Sequence, residues 1–375
     1  MTEQHPLAHK ETAEALFTQW SPYWDLSKPY LVEKTPITLT RTRLFQALFP
    51  DAYFVAIVRH PAAVALATYN AYASFMVPDL TITDLIENWV RGYEILKEDA
   101  PHLKRFTRIC YEDFAQKHQE TMGEIYRFLG LPGDSDSEPI RGDIDMLYRR
   151  QWQAMRRDPL HQEDIERTTL FEERVQRLGY NLQAWSASEP PELSINNSES
   201  ATSPIAETER LILRPFTFAD VDHLAVLYKD PETMRFWGGI QPRERAWGEI
   251  LGYLRGYEES GHAFWAVVDK ADGHFIGRCG LYLPEQDNPQ EAELGYQIAR
   301  PYWGRGLGTE AARAVTEYSF RNGPFQRLIS LIDPANIASV RVAEKLGMSL
   351  EATQRENHEE TVRHRYVVNR EGSRL

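Results

Sequence analysis

"PYWGRGLGTEAARAVTEYSF", residues 301–320, sets glycines at alternate positions, Gly304, Gly306 and Gly308, directly ahead of a stretch with helical spacing. Glycine opens positive φ to the backbone and lets a ligand come close to the chain. The first turn of the following helix has N–H groups without intrahelical partners and carries the positive end of the helix dipole. Together these make a turn shaped to hold an anion, a phosphate group above all. Two other readings of the turn stand beside it. Gly306, Gly308 and Ala311 also satisfy G-x-G-x-x-A, with Asp333 ending a later strand as a ribose ligand would. A dinucleotide fingerprint, however, follows the first strand of its domain directly, whereas this loop comes after several strands and is parted from its own by "ARPYW". The other reading is plain capping and packing of a helix, for which three alternating glycines are more than is needed.

A chain of 375 residues exceeds the roughly 100–200 residues of a usual domain, so two domains are expected. With 42% hydrophobic and 26% charged residues, and no apolar run near the roughly 20 residues of a membrane helix, no membrane association is expected. The opening "MTEQHPLAHKETAEALF" lacks a continuous apolar core, and Cys110 and Cys279 stand far apart in strand-like stretches, which points to a reducing cytoplasm. A net charge of -13 speaks against general nucleic-acid binding, which relies on clustered Lys and Arg. In "HEETVRH" His358 and His364 are six apart and miss the H-E-x-x-H spacing, so no metal site is expected there. "RGD" at 141–143 and the sequon at Asn196 carry no weight without a secretion signal.

Between Arg177 and Arg210 the chain has no basic residue, and "SASEPPELSINNSESATSPIAE" reads as a linker. The division is therefore a first domain at 1–185, a linker at 186–206 and a second domain at 207–375. Upstream, "AYFVAIVRHP" and "RFTRICYEDF" read as buried strands flanking the helical spacing of "LTITDLIENWVRGYEILKEDA", a strand–helix–strand order that implies a parallel α/β sheet. Downstream, "RLILRPF", "HAFWAVVD", "HFIGRCGLYL", "EAELGYQI" and "RLISLID" read as strands. "FADVDHLAVLYKD", "PRERAWGEILGYLRGYEESG", residues 309–321 and "ASVRVAEKLG" read as helices, giving a mixed α/β half.

Three ordered segments, "TERLILRPFTFADVDHLAVLYKDPETMRFW", "AELGYQIARPYWGRGLGTEA" and "DPANIASVRVAEKLGM", resemble successive motifs of the GNAT superfamily of N-acetyltransferases, in its ribosomal-protein (Rim) branch. The likeness spans 207 to about 370 and implies a GNAT fold using acetyl-CoA, with a primary amine on a protein N-terminus or a small molecule as acceptor. It assigns the loop Trp303, Gly304, Arg305, Gly306, Leu307, Gly308 and Thr309 to the coenzyme pyrophosphate, with Ile298 on the preceding strand and Asn336 as further coenzyme contacts. Asn336 has capping of the next helix as its alternative role. Amine attack on a thioester needs a neutral nucleophile, a donor for the oxyanion and a proton for the thiolate. By analogy Glu293 takes the amine proton, with an exposed strand-end carboxylate as the competing reading. Ser339 is placed to protonate the thiolate, or simply packs near a helix start. Trp237, Trp265, Tyr282 and Tyr296 line an acceptor groove or belong to the core. A homodimer is left open, as is a nucleotide-sensing or partner-binding module without catalysis.

Residues 20–185 resemble a different family, the sulfotransferases that use 3'-phosphoadenosine 5'-phosphosulfate (PAPS), through "LVEKTP", "FPDAYFVAIVRHPAAVALATY", "RICYEDF" and "RLGYNLQAW". The resemblance implies that Arg59 meets the 3'-phosphate of PAPS or adenosine 3',5'-bisphosphate. Ala67 stands where the family has a serine, Thr68 is one position out of register, and the family's phosphate loop would lie upstream of Met1. The expectation is a truncated, inactive parallel-sheet domain, the alternative a sulfotransferase completed by sequence outside this chain. Glu33 and Lys34 have a structural alternative, since Thr35 and Pro36 suit the start of a helix over "ITLTRTRLFQALF".

Overall fold

The computed structural model describes residues 1–28, 30–73, 80–132, 143–183, 185, 203–283, 290–355 and 362–370. His358, the sequon at Asn196, the first two residues of "RGD" and most of the expected linker lie outside the described residues. The chain divides into two compact units, the first Met1–Tyr69 with Pro78–Pro190, the second Asn70–Val77 with Pro191–Leu375. Among the described residues no helix is long and apolar enough to cross a membrane.

In the first unit, β1 (Phe54–Val58) and β2 (Phe106–Cys110) form the expected parallel pair, in register from Phe54 opposite Phe106 to Val58 opposite Cys110. Helix α1 (Pro61–Ala73) leaves the carboxyl end of β1, and α2 (Ile82–Asp99) makes the crossover. A reciprocal capping box between Thr81 and Asp84 fixes the start of α2. From the closing segment, the Tyr180 hydroxyl donates to the Val58 carbonyl and to Glu112 Oε2, both at 3.2 Å. The helix expected after Pro36 is split: a 3-10 turn at Pro36–Thr40 and an α-helix at Thr42–Leu48. Pro36 does open it, but Thr35 gives no side-chain cap, because its hydroxyl bonds Glu33 instead.

The second unit is one eight-stranded mixed sheet, ordered β3-β4-β5-β6-β7-β8-β10-β9. Its strands are β3 (Ala206–Glu207), β4 (Leu211–Arg214), β5 (Phe264–Asp269), β6 (Phe275–Tyr282), β7 (Glu291–Ile298), β8 (Arg327–Ile332), β9 (Ser349–Arg355) and β10 (Val362–Asn369). All neighbours are antiparallel except β7 and β8. The sheet thus starts inside the stretch read as linker, where Ile205 N–H already donates to the Leu213 carbonyl at 2.8 Å. The pair β9 and β10 had no counterpart in the sequence reading.

Helices α4 (Val221–Lys229) and α5 (Glu244–Ser260) precede β5, α6 (Leu307–Asn322) follows the glycine loop and α7 (Ile337–Lys345) follows β8, while in the first unit α3 (Asp143–Met155) lies beyond α2. Along α6, Leu307, Ala311, Val315 and Ser319 recur at four-residue spacing and are buried. Those that are apolar pack with Cys279, Leu281, Leu294 and Leu328 into one core. Burial raises the Cys279 thiol, so this cysteine is a neutral core residue.

Two cross-strand glycines let the other face of the sheet close up. Gly280 pairs with both Phe264 and Gly295, and a Cβ on Gly280 would lie 2.2 Å from the Ala263 oxygen and the Phe264 Cα. A Cβ on Gly295 would meet the Phe264 ring at 2.6 Å. Because Gly280 faces backbone, which cannot step aside, Gly280→Val should destabilise the second unit by about 3 kcal/mol or more. Chemical denaturation followed by circular dichroism checks this, and wild-type stability in the variant would contradict the packing described.

Candidate active site

The glycine loop is set by backbone geometry and held from outside. Gly304 and Gly306 adopt φ of 73° and 77°, in the left-handed region that favours glycine. Gly306 is the residue at the N-cap of α6. In the first turn of α6, Glu310 accepts the Arg210 N–H at 3.0 Å, Arg210 Nε at 2.7 Å and the Thr208 hydroxyl at 2.5 Å. Burial pushes the Glu310 carboxyl up, but the Thr208 and Arg210 hydrogen bonds outweigh it and hold the group ionised. Arg210 Nη1 also donates to the Arg305 carbonyl at 2.8 Å. The loop therefore hangs on the turn between β3 and β4 through one arginine and one carboxylate.

At the other side of the site, β7 parts from β8. Their parallel pairing covers only Glu291–Glu293 opposite Arg327–Ile329. Beyond it, side chains bridge the widening gap: Ser330 Oγ donates to the Leu294 carbonyl at 2.8 Å, and the Tyr296 hydroxyl donates to the Ser339 carbonyl at 2.9 Å. Asn336 Oδ1 accepts the Ser339 N–H at 3.2 Å and so caps α7.

Two cavities flank this opening. The larger, about 580 Å3, is lined by Ile298, Trp303, Gly304, Gly306, Leu307, Gly308 and Thr309 on one side, and by Asn336 and Ser339 on the other. The smaller, about 350 Å3, is lined by Glu293, Tyr282, Trp237, Tyr296, Asn336 and Ser339 among others. Trp237, Tyr296, Asn336 and Ser339 are walls of both.

Most residues named from the sequence thus come together, with three exceptions. Arg305 does not line either cavity: its guanidinium lies 3.5 Å from Asp269 and over the Tyr302 ring at 5.5 Å. Trp265 is fully buried in the core and lines no acceptor groove. Arg59 belongs to the first unit, where its Nε donates to Asp145 Oδ1 at 2.9 Å and its guanidinium lies over the Tyr111 and Tyr148 rings, 4.4 and 5.2 Å from their centroids. Trp303 is half exposed, its indole N–H donating to the Ile298 carbonyl at 2.6 Å.

Sequence reasoning missed the buried polar floor of the smaller cavity. Arg278, on β6 and 2% exposed, donates from Nε to Gln297 Oε1 at 2.8 Å and from Nη1 to Glu249, Tyr253 and Tyr228. Glu249, on α5, also accepts from the Tyr228 and Tyr253 hydroxyls at 2.6 and 2.8 Å, and from Arg245 Nε at 2.8 Å. The Trp237 ring centroid lies 4.8 Å from the Arg278 guanidinium. Burial alone raises the Glu249 carboxyl, yet the Arg278 charge and hydrogen bonds from Tyr228, Arg245 and Tyr253 outweigh it and hold the group at about 2. The one sequence signal was an arginine inside an otherwise apolar strand, "HFIGRCGLYL".

Comparison with known proteins bears on both units. Residues 210–349 match the model of the acetyltransferase (GNAT) domain, and residues 1–136 match that of the sulfotransferase family. YkkB of Bacillus subtilis, an uncharacterised protein, is 36% identical over 149 residues, 40% of this chain and 87% of that protein. The N-acetyltransferase p20 of Bacillus licheniformis, also uncharacterised, is 29% identical over 154 residues, 40% of this chain and 84% of its own length. Among solved structures, RimL, a ribosomal L7/L12 alpha-N-protein acetyltransferase in complex with coenzyme A, aligns at a TM-score of 0.40 and 19% identity, covering 44% of this chain and 98% of that one.

The depressed Glu249 carboxyl fixes a pH dependence. A group whose folded value lies near 2 against a usual 4.5 contributes stability that is present above 4.5 and is lost as pH falls toward 2. Glu249→Gln should therefore cost about 3 kcal/mol or more near neutrality, since it leaves Arg278 buried without its carboxylate. The gap between variant and wild type should narrow between pH 4.5 and 2. Urea melts of both proteins across that range check it, and a gap that does not change with pH would refute it.

Proposed function

The second half of this chain belongs to the GNAT family of acetyltransferases, and from that premise we propose that it transfers the acetyl group of acetyl-CoA to a primary amine, on a protein N-terminus or a small molecule. The observation that carries this reading is the pair of cavities meeting at Tyr296 and Ser339, one against an anion-shaped glycine loop and the other against Glu293. The loop suits a bulky phosphate ligand: a Cβ built on Gly304 meets nothing within 4 Å, so open space faces the backbone there. Helix α6 adds the unpaired N–H groups of its first turn.

In this reading the backbone of β7 past Glu293, freed from β8, offers N–H donors to the oxyanion that forms as the amine nitrogen attacks the thioester carbonyl. The N–C bond forms and the C–S bond breaks. Glu293 takes the proton released by the amine through a water molecule, and the Ser339 hydroxyl gives one to the leaving sulfur, regaining it from solvent. Gly306→Val should weaken acetyl-CoA binding at least about 10-fold, because a β-branched side chain neither accepts φ near +77° nor leaves the loop open. Glu293→Gln should lower kcat by about 100-fold with little change in coenzyme affinity, and the rate should recover as pH rises. Titration calorimetry with acetyl-CoA and steady-state kinetics check the pair; wild-type kinetics in Glu293→Gln would place the base elsewhere.

For the first unit we propose no sulfuryl transfer. The support is the state of Arg59, whose guanidinium is already paired with Asp145 and stacked over two tyrosine rings. A 3'-phosphate there would have to displace a carboxylate. Adenosine 3',5'-bisphosphate should therefore raise the melting temperature of the wild type little, and more in Asp145→Asn, which uncovers the arginine. Turnover of a radiolabelled phosphosulfate donor by the full chain would overturn this reading.

A further inference from the structure

The smaller cavity is electrically two-ended. At one end of β7 stands Glu293, paired across the sheet with Tyr282 on β6. Four residues on, about 13 Å along a strand, Gln297 pairs with Arg278, and α5 brings Arg245 and Glu249 to the same end of the cavity. Two guanidinium groups here share one carboxylate. Glu249 is fully used: Oε1 takes Arg245, and Oε2 takes both tyrosine hydroxyls and Arg278. The arginines are not. Arg278 donates through Nε and Nη1, and Arg245 through Nε to Glu249 and through Nη1 to Gln241 Oε1 at 3.0 Å. Among the described residues, Nη2 of each has no hydrogen-bond partner. The remaining charged residues of the lining, Asp333 and Arg363, are opposite in sign and add no net charge to it.

On the reading that this site acetylates amines, we propose that its acceptor is a small amine that also carries a carboxylate, as an amino acid does. The Arg245–Arg278 end would take the carboxylate through the two uncommitted Nη2 groups, while the amine lies toward Glu293. Glu249, already saturated, holds the two arginines in place rather than competing for them. A volume of about 350 Å3 is at the small end of ligand pockets. A polyamine, all cation, would set a positive charge against two arginines.

The test is an acceptor panel with the full chain and acetyl-CoA: amino acids, their carboxamides, and spermidine. The expected result is kcat/KM at least about 10-fold higher for the acids than for their carboxamides. This holds although the carboxamides have the more weakly basic, more often neutral amines, which favours them as nucleophiles. Arg245, partly exposed on α5, is the residue to vary. Arg245→Gln should cut kcat/KM for the acids at least about 10-fold more than for the carboxamides, through KM, and Arg245→Lys should restore part of the difference. Equal use of acids and carboxamides, a preference for spermidine, or an Arg245→Gln loss that falls on all acceptors alike would overturn the proposal while leaving amine acetylation standing. With an N-terminal peptide added to the panel the two readings separate: acetylation of the peptide and of no small amine would overturn this proposal alone, and bound acetyl-CoA with nothing acetylated would overturn both.

Discussion

The end of the β7–β8 ladder, at Glu293 opposite Ile329, is the constraint from which the rest of the second unit follows. Parallel strands that stop pairing inside a sheet expose backbone N–H and C=O groups where water is scarce, and such groups must find partners. Here the Leu294 carbonyl is met by Ser330, and Tyr296 reaches across the gap to the carbonyl of Ser339. The wedge kept open this way receives the starts of two helices, α6 from the glycine loop and α7 from Asn336. Two positive helix ends and one broken ladder converge on the two cavities, a setting that suits an anionic group.

The opposite face answers a different demand. Burying a guanidinium is costly unless its partners are charged and well placed. Arg278 gains Glu249, two phenols, a glutamine and an aromatic face through Nε, Nη1 and the plane of its guanidinium, so the desolvated charge is held without using Nη2. Burial pushes the Tyr228 and Tyr253 phenols well above their usual range, so both remain donors to Glu249 throughout the physiological range. The network ties α4 and α5 to β6 and gives the cavity a stiff floor, next to a wall, Tyr282 and Trp237, made of rings.

What could be read from the sequence followed periodicity and backbone necessity. Strand β7 lies at 291–298 as its pattern required, and α6 begins two residues before its expected start, inside the glycine run itself. The same logic missed β9 and β10. "SLEATQR" has too few apolar residues to alternate, and "VRHRYVVN" places charges on its first half, which the neighbouring carboxylates Glu351 and Glu291 take up through Arg365. Long-range pairing of charge has no period, so it leaves no mark on a linear pattern. Trp265 shows the converse error: an aromatic in a strand next to candidate site residues went to the core because alternation along β5 faces it toward Tyr257 and Tyr318. Arg305 sits in the loop by sequence, yet its side chain answers Asp269 on β5.

Arg59 makes the same point about charge in the first unit. Its place at the end of β1 was legible, but its partner Asp145 lies 86 residues away, on α3. The ratio of guanidinium to carboxylate then separates this arginine from those of the smaller cavity. Among the described residues Arg59 pairs with one carboxylate, and Asp145, raised by burial against the pull of Arg59, loses most of its reason to stay charged if that arginine is removed. Arg245 and Arg278 divide one carboxylate between them, so a positive charge is left over in a confined, partly desolvated space. An arginine matched one to one is a structural tie. Two arginines matched to one carboxylate leave a positive charge unmatched, and in this chain that charge lies at the far end of β7 from the carboxylate of Glu293.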